Sequence, residues 1–236
     1  MLYLITQIGL LAITVVFFYL LYREFKLALP NTTLEPKQQK KFLNTFSGVL
    51  IGWAVIVSVL SLTGIMGNFE IFPFNIGPLL ILPLVASILF TFSRSLREVL
   101  PHIHPARIIR LQVFRVFVEI LLWFLFIDNL LPVQMTFEGR NFDVLSGLTA
   151  PLIAFLAFRN KVSKPVMIIW NLLCLGLLIN IVTVAVLSMP TPFRYFMNEP
   201  ANTIVAQFPI SWLPTFLVPL AYLLSFISIR QLTLKK

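Results

Sequence analysis

The sequence predicts an all-α fold, a polytopic membrane helix bundle of about seven transmembrane helices with its N-terminus outside and its C-terminus inside. Three observations predict it. Of the 236 residues, 58% are hydrophobic and only 11% are charged, whereas soluble domains carry charge on about a quarter of their residues. Apolar runs long enough to cross a bilayer core of about 30 Å recur along the whole chain. Lysine and arginine concentrate between alternate runs, as they do in cytoplasmic loops.

The apolar runs leave no room for a soluble domain, so residues 1–236 are expected to form one transmembrane helical domain. The first run is predicted to be a retained helix and not a signal peptide, because its charges, Arg23 and Lys26, follow the apolar stretch. The longest connector is expected from Arg23 to Asn44, and the fifth run is short for a span. The predicted spans are Leu2–Tyr22, Thr45–Met66, Ile76–Phe92, Ile108–Ile127, Val144–Phe158, Val166–Leu187 and Ile210–Ile229.

The basic residues set the predicted orientation. The chain has a formal net charge of +9, but acidic residues outnumber basic ones on the predicted outer side, and all the lysines fall on the inner side. Basic residues spread along a membrane surface attract anionic lipid, so the expected partner is the lipid bilayer and not nucleic acid. The inner lysines are Lys26, Lys37, Lys40, Lys41, Lys161, Lys164, Lys235 and Lys236.

Two stripes of small residues predict close helix packing, on which membrane helices rely because lipid tails are as apolar as leucine. In the second span, Gly48 and Gly52 lie four residues apart on one face. In the fifth span, Ser146, Ala150 and Ala154 repeat at the same spacing. We expect a neighbouring helix against each stripe.

The fourth span carries the most informative polar residues. At about 100° per residue, Gln112, Arg115 and Glu119 fall on one helix face, and an ionised residue deep in a bilayer must face protein or a wet cavity. Arg115 and Glu119 are four residues apart and can pair with each other. Two interpretations stay open: the pair is structural and sets helix register, or it binds a ligand or handles a proton in a central cavity.

Two further positions complete the predicted cavity. Asp143 is placed at the N-cap of the fifth helix, where its carboxylate can accept backbone N–H bonds. Alternatively, Asp143 forms the mouth of the cavity with Asn141 and Asp128. Asn171 lies in the sixth span at a depth similar to that of Arg115, so it is expected to form interhelical hydrogen bonds and can contact Arg115.

The sequence argues against most cofactor chemistries. It has 1 Cys and 2 His, and both histidines lie in one loop, whereas zinc needs three or four ligands and a membrane haem needs histidines on facing helices. No lysine lies inside a predicted span, which excludes a retinal Schiff base, and no phosphate-binding Gly-x-x-x-x-Gly-Lys motif occurs. We therefore expect no metal site and no cofactor.

From Gln112 onward the chain resembles a family of uncharacterised bacterial integral membrane proteins. The resemblance implies a location in the bacterial inner membrane and supplies no activity. The sequence departs from the family pattern by lacking Gly-x-Gly-Asp before the fifth helix and an Asp near Asn180. The resemblance is carried by Leu111-Gln112-x-x-Arg115-Val116, Leu131-Pro132, Asp143-x-x-x-Gly147-Leu148-x-Ala150-Pro151, Trp170-Asn171 and the proline-rich stretch from Pro209 to Pro219.

Three functional hypotheses follow. The first is a membrane protein that binds or passes a small solute or a proton through a cavity lined by Gln112, Arg115, Glu119, Asp143 and Asn171. The second is a non-catalytic membrane partner or assembly protein whose polar groups only join helices. The third is a membrane-embedded enzyme acting on a lipidic substrate, and the sequence leaves the oligomeric state open.

Overall fold

In the computed structural model, which describes residues 1–234, all regular secondary structure is helical. Lys235 and Lys236, which the sequence predicts to lie inside, fall outside the described residues. Short 3-10 turns occupy several connectors. The α-helices within residues 1–234 are α1 (Leu2–Ala28), α2 (Pro36–Leu62), α3 (Gly77–Thr91), α4 (Arg94–Val99), α5 (Pro105–Leu111), α6 (Phe114–Ile127), α7 (Val144–Phe158), α8 (Lys164–Leu187) and α9 (Val218–Thr233).

Several of these helices have the length and apolarity of a membrane span. Within residues 1–234, four segments pass both criteria: Leu2–Asn31, Pro36–Leu62, Lys164–Leu187 and Leu213–Thr233. A fifth candidate, Gly77–Thr91 continued by Arg94–His102, is bent by 54°. α7 is apolar but shorter. The predicted helical bundle is confirmed at this level, and the number of spans stays a prediction.

The long polar connector predicted between Arg23 and Asn44 is wrong. α1 continues to Ala28 and α2 begins at Pro36, so both helices extend beyond their apolar runs. The start of α2 is stabilised locally, because the Glu35 amide donates to Gln38 Oε1 at 3.2 Å and Pro36 fits the first helical position. Hydropathy marks the apolar part of a helix, and it does not mark the end of the helix.

The predicted fourth span is divided into α5 and α6. At the break, the amides of Gln112, Val113, Arg115 and Val116 each bond to the carbonyl three residues earlier, which tightens the helix locally. The two pieces together run antiparallel to α1. The Arg107 guanidinium meets Glu24 at 3.1 Å near one end, and Asp128 accepts from the Tyr3 amide near the other.

α9 is the most enclosed of the four long apolar segments. In the segment Leu213–Thr233, 72% of the most apolar stretch is buried, against 17% in α2. A π-helical turn, Leu213–Leu217, precedes α9, consistent with Pro214 and Pro219 interrupting the ordinary helical hydrogen bonds. α9 packs against α3, α5 and α8, and its surroundings therefore define the centre of the bundle.

The two small-residue stripes have different outcomes. Ser146, Ala150 and Ala154 of α7 are buried, and α5 and α6 pack against α7, as predicted. The expectation for Gly48 and Gly52 is wrong within this chain, because no heavy atom outside the helix lies within 4 Å of where a Cβ would stand. The face of α2 that carries these glycines borders a groove and not a neighbouring helix.

Candidate functional site

Arg115 lies near the centre of the bundle, with only 2% of its side chain exposed. Its Nη1 is 2.5 Å from Asp143 Oδ1, and the Asp143 side chain is 7% exposed. The same guanidinium donates to the carbonyls of Cys174 on α8, at 3.3 Å, and Ala221 on α9, at 3.4 Å. One side chain of α6 therefore links the start of α7 with α8 and α9.

The predicted ion pair between Arg115 and Glu119 is wrong. The i, i+4 spacing brings both residues to the same side of α6, but the guanidinium is taken by the carboxylate of Asp143. Two charged groups on one helix pair only when no better-placed partner reaches them. Here the neighbouring helix supplies a carboxylate in direct contact.

Gly147 brings Asp143 within reach of Arg115. A Cβ at Gly147 would lie 2.7 Å from the backbone nitrogen of Val116 and 3.2 Å from the Arg115 Cβ, so only glycine permits this approach of α7 to α6. Asp143 stands at the N-cap position, as predicted, but its carboxylate makes no capping bond to the backbone of α7. It accepts instead from the guanidinium and from Ser146 Oγ, at 3.1 Å.

Glu119 is held by a neutral partner. Its Oε1 accepts from Asn141 Nδ2 at 2.6 Å, and its Oε2 has no hydrogen-bond partner. Asn141 in turn donates to the Met135 carbonyl and accepts from the Asp143 amide, which ties the loop before α7 to both carboxylates. A Cβ at Gly139 would lie 2.3 Å from the Val133 carbonyl oxygen, so this loop folds tightly on itself.

These groups line a cavity of about 80 Å³ between α3, α6, α8 and α9. Most of its wall is aliphatic, and its polar wall consists of Arg115, Glu119, Asn141, Asp143 and Asn202. Three buried polar atoms of this wall have no partner: Arg115 Nε, Glu119 Oε2 and Asn202 Oδ1. Unpaired buried polar atoms are costly, and their convergence on one cavity marks it as the candidate site.

Two of the predicted cavity residues lie elsewhere. Gln112 donates to Ser225 Oγ of α9 at 2.9 Å, and Asn171 donates to Ser228 Oγ of α9 at 2.9 Å. Neither lines the cavity, and Asn171 makes no hydrogen bond to Arg115. Both join helices to α9, which is the interhelical role that the sequence predicts for Asn171. The predicted placement of Asp128 at the cavity mouth is also wrong, since Asp128 binds the Tyr3 amide.

Asn202 is the cavity residue that sequence reasoning missed. It lies in the connector between α8 and the π-helical turn, where its Nδ2 donates to the Ala185 carbonyl and its backbone amide to the Ser188 carbonyl. This connector folds back against the end of α8 and buries Asn202 fully. Helical periodicity identifies polar residues on helices only, so no pattern in the sequence pointed to it.

The charges of the site do not balance among themselves. Two carboxylates, Asp143 and Glu119, accompany one guanidinium, and only Asp143 contacts that guanidinium within ion-pair distance. A buried carboxylate without a cationic partner is unfavourable unless it binds a proton or another donor. Within residues 1–234, no group of three or more His, Cys, Asp or Glu side chains is arranged to hold a metal ion.

Comparison with protein families matches residues 72–233 to the family described as "Domain of unknown function (DUF8737)". This match covers more than half of the chain. The chain belongs to this family. No curated protein and no solved structure matches.

The family domain contains the whole candidate site. Residues 72–233 run from just before α3 to the last residue of α9, and every residue that lines the cavity falls within them. The match begins before residue 112 and also includes α3 to α5. α1 and α2 lie outside it.

Proposed function

We propose that the protein is a multi-pass integral membrane protein whose central cavity binds a proton or a small polar solute. The proposed topology has seven crossings, with the N-terminus outside and the C-terminus in the cytoplasm. Its proposed location is the bacterial inner membrane, which the resemblance to bacterial membrane proteins supports. The helices that pass the length and apolarity criteria support the membrane assignment.

Contacts at the two ends of the bundle support the alternation of spans. Three contacts join segments near the predicted inner end, and three join segments near the predicted outer end. The inner contacts are Arg107 with Glu24, Thr33 with Glu98, and Arg230 with the Ser93 carbonyl. The outer contacts are the Tyr3 amide with Asp128, Ser61 with the Ala206 carbonyl, and Asn180 with the Arg140 carbonyl.

α5 and α6 are proposed to cross the membrane together as one interrupted span. They pair with α1 from Glu24 and Arg107 at one end to Tyr3 and Asp128 at the other. Since α1 is long and apolar enough to cross a bilayer, a segment that follows it along this length covers the same thickness. Interrupted helices are tolerated inside membranes where they are buried in protein or border a cavity.

One labelling experiment tests this topology. The chain's single Cys, Cys174, is buried, so cysteines introduced at Lys40 or Glu138 are expected to be the accessible ones. In intact cells, a membrane-impermeant maleimide should label the cysteine at position 138 and leave the one at position 40 unlabelled until the cells are opened. Labelling of position 40 in intact cells would overturn the orientation.

The proposed binding function depends on one observation: Arg115 Nε and Glu119 Oε2 are buried, unpartnered and border the same small cavity. A donor near Glu119 and an acceptor near Arg115 would complete the site. A proton on Glu119, water, or a small solute with both kinds of group meets this requirement. The volume of about 80 Å³ has room for a few water molecules and is far below the size of a lipid headgroup with its chains.

The cavity separates the three hypotheses. A pure assembly protein would have its buried charges fully paired and no space beside them, whereas Glu119 retains an unpartnered oxygen at a cavity. An enzyme acting on a lipid would need Glu119 in a wide pocket that opens between helices. The small cavity favours the proton or small-solute hypothesis over both alternatives.

Infrared difference spectroscopy tests whether Glu119 exchanges a proton. The purified protein is titrated with acid and base, and the C=O stretching band of a protonated carboxylic acid is followed. We expect a band that is absent from Glu119→Gln and unchanged in Glu70→Gln, which alters an exposed glutamate outside the cavity.

The solute is tested by thermal stability in the presence of Na⁺, K⁺, ammonium and methylammonium salts. A solute that binds the native state raises the unfolding temperature, and this rise should disappear in Glu119→Gln and persist in Glu70→Gln. The absence of both a Glu119 band and any solute-dependent stabilisation would overturn the proposal.

A further inference from the structure

A second, much larger cavity lies on the other side of α9, between α2, α3 and the π-helical turn. Its volume is about 1170 Å³, at or above the upper limit for pockets that hold small molecules. We call it the α2–α3 groove. The groove and the Arg115 cavity share no lining residue, because they border opposite sides of α9 and the turn that precedes it.

The groove lies along the glycine-bearing face of α2, whereas other faces of this helix contact the bundle at several points along its length. Toward its N-terminal end, Phe42 and Phe46 pack against Phe25 of α1 at 5.5 Å and 5.4 Å between ring centroids. Further along, Trp53 Nε1 donates to the Thr215 carbonyl at 3.1 Å. Between these contacts, Gly48 and Gly52 present a smooth wall with no neighbour. Phe42 and Phe46 also contact Phe90 of α3, at 5.8 Å and 5.6 Å between ring centroids, and the groove follows the glycine-bearing face of α2 beside these rings.

The walls of the groove are apolar. α2 and α3 contribute mainly aliphatic and aromatic side chains, and Pro219, Leu220 and Leu223 of α9 form the floor. From Lys41 to Ile56, both of which line the groove, α2 rises about 22 Å at 1.5 Å per residue. This length exceeds half of a bilayer core of about 30 Å, so an acyl chain that reaches from one surface to the bilayer midplane fits within the groove.

The two ends of the groove differ in polarity. The predicted inner end carries two exposed cations, Lys41 and Arg94, and one carboxylate, Glu98, which accepts from Thr33. Hydroxyl and amide groups surround these charges, contributed by Ser93, Ser95, Gln38 and Thr45. The other end is lined by apolar side chains, among them Ile56, and by Trp53, whose indole donates to the Thr215 carbonyl. A long apolar channel with a net positive, donor-rich mouth is complementary to an amphiphile with an anionic head.

We propose that the α2–α3 groove holds one anionic phospholipid of the inner leaflet, with its phosphate between Lys41 and Arg94 and an acyl chain along Gly48 and Gly52. The cations and nearby donors match the oxygens of a phosphodiester. The glycines leave space for the chain where any larger side chain would project into it. The lipid thereby fills the gap that α2 leaves and joins it to the rest of the bundle.

The head-group half of the proposal is tested by native mass spectrometry of the full-length protein, with phosphatidylglycerol and phosphatidylcholine titrated separately. We expect one phosphatidylglycerol to bind tightly and phosphatidylcholine to bind more weakly. The double variant Lys41→Gln/Arg94→Gln should weaken phosphatidylglycerol binding roughly 25-fold, which corresponds to about 2 kcal/mol for two surface cations. The matched control is Lys161→Gln/Lys164→Gln, which removes two exposed cations outside the groove and should leave the affinity unchanged.

The acyl-chain half is tested by filling the groove. Gly52→Phe introduces a large side chain where nothing lies within 4 Å, so the protein should fold and lose the bound lipid. The control is Gly176→Phe in α8, where the glycine also has open space around it. This variant should retain the lipid.

Three results would overturn the proposal: equal binding of both lipids, equal weakening by the two double variants, or retention of the lipid in Gly52→Phe. A dimer in the same spectra that Gly52→Phe dissociates would also overturn it, because a second copy of the chain would then occupy the groove.

Discussion

Replacing Asp143 by asparagine should destabilise the protein far more than replacing Glu119 by glutamine. Asp143→Asn keeps the size of the side chain and removes the only carboxylate of residues 1–234 that lies within 4 Å of the Arg115 guanidinium. The guanidinium would then have neutral acceptors alone, the carbonyls of Cys174 and Ala221 and the new amide oxygen. Bulk solvent cannot replace the lost carboxylate, because the Arg115 side chain is only 2% exposed.

The magnitude follows from the burial of the pair. Removing one partner of a buried ion pair costs about 3–5 kcal/mol, because an uncompensated charge stays behind. The retained hydrogen-bond acceptor places Asp143→Asn near the lower end of that range. For a chain of this size, about 2–4 °C is lost per kcal/mol, so the unfolding temperature should fall by roughly 6–12 °C.

Glu119→Gln should lower the free energy of unfolding by about 1 kcal/mol or less. The new amide oxygen can still accept from Asn141, and no ion pair is lost. Thermal unfolding in one detergent, followed by tryptophan fluorescence, measures all variants under the same conditions. The double variant Arg115→Met/Asp143→Leu removes both charges together and should recover much of the stability lost in Asp143→Asn. A larger loss for Glu119→Gln than for Asp143→Asn would refute the assigned pairing and restore the i, i+4 pair within α6.

Three further outcomes are expected. Gly147→Ala should destabilise the protein by about 1–3 kcal/mol, because the new Cβ would overlap the backbone of Val116. The control Gly176→Ala, which meets no neighbour, should be neutral or slightly stabilising. Chemical denaturation compares the two variants. The side-chain hydrogen bond from Arg194 holds the pKa of the exposed Glu199 carboxyl below its usual range. This ion pair should therefore persist as the pH falls through the ordinary glutamate pKa and be lost on further acidification. NMR titration of Glu199 in Arg194→Gln should show its pKa returning upward. Trp53→Phe, which deletes the donor to the Thr215 carbonyl, should increase hydrogen exchange in α2 and leave α8 unchanged.

The apolar helices of the chain could be predicted because they depend on composition and on one-dimensional patterns. A long apolar stretch such as Val166–Leu187 favours a helix, since a helix satisfies its backbone hydrogen bonds within the segment. α7 occurs at its predicted residues, Val144–Phe158, for the same reason. The small-residue stripe of α7 also has its predicted role, because the spacing of Ser146, Ala150 and Ala154 defines one face wherever the helix packs.

The site could be predicted only in part. Arg115, Glu119 and Asp143 do meet at one cavity, because ionisable residues in apolar segments must converge away from lipid. Gln112 and Asn171 were assigned to the same cavity by depth and helix face alone, and they bind α9 instead. The N–H groups of a neutral amide can donate to any nearby hydroxyl or carbonyl, as those of Gln112 and Asn171 do. The position of an amide along a helix therefore does not determine which neighbour it joins.

The sequence by itself therefore determined that the chain forms apolar helices and that a few charged side chains must be buried among them. Only the tertiary structure decided that Arg115 pairs with Asp143 and leaves one oxygen of Glu119 without a partner. It also decided that Gly48 and Gly52 border a groove and not a helix. The reason is physical. Hydropathy and periodicity describe a single segment, whereas a partner or a gap depends on how closely two segments approach each other. The approach of α7 to α6, for example, depends on the missing side chain of Gly147.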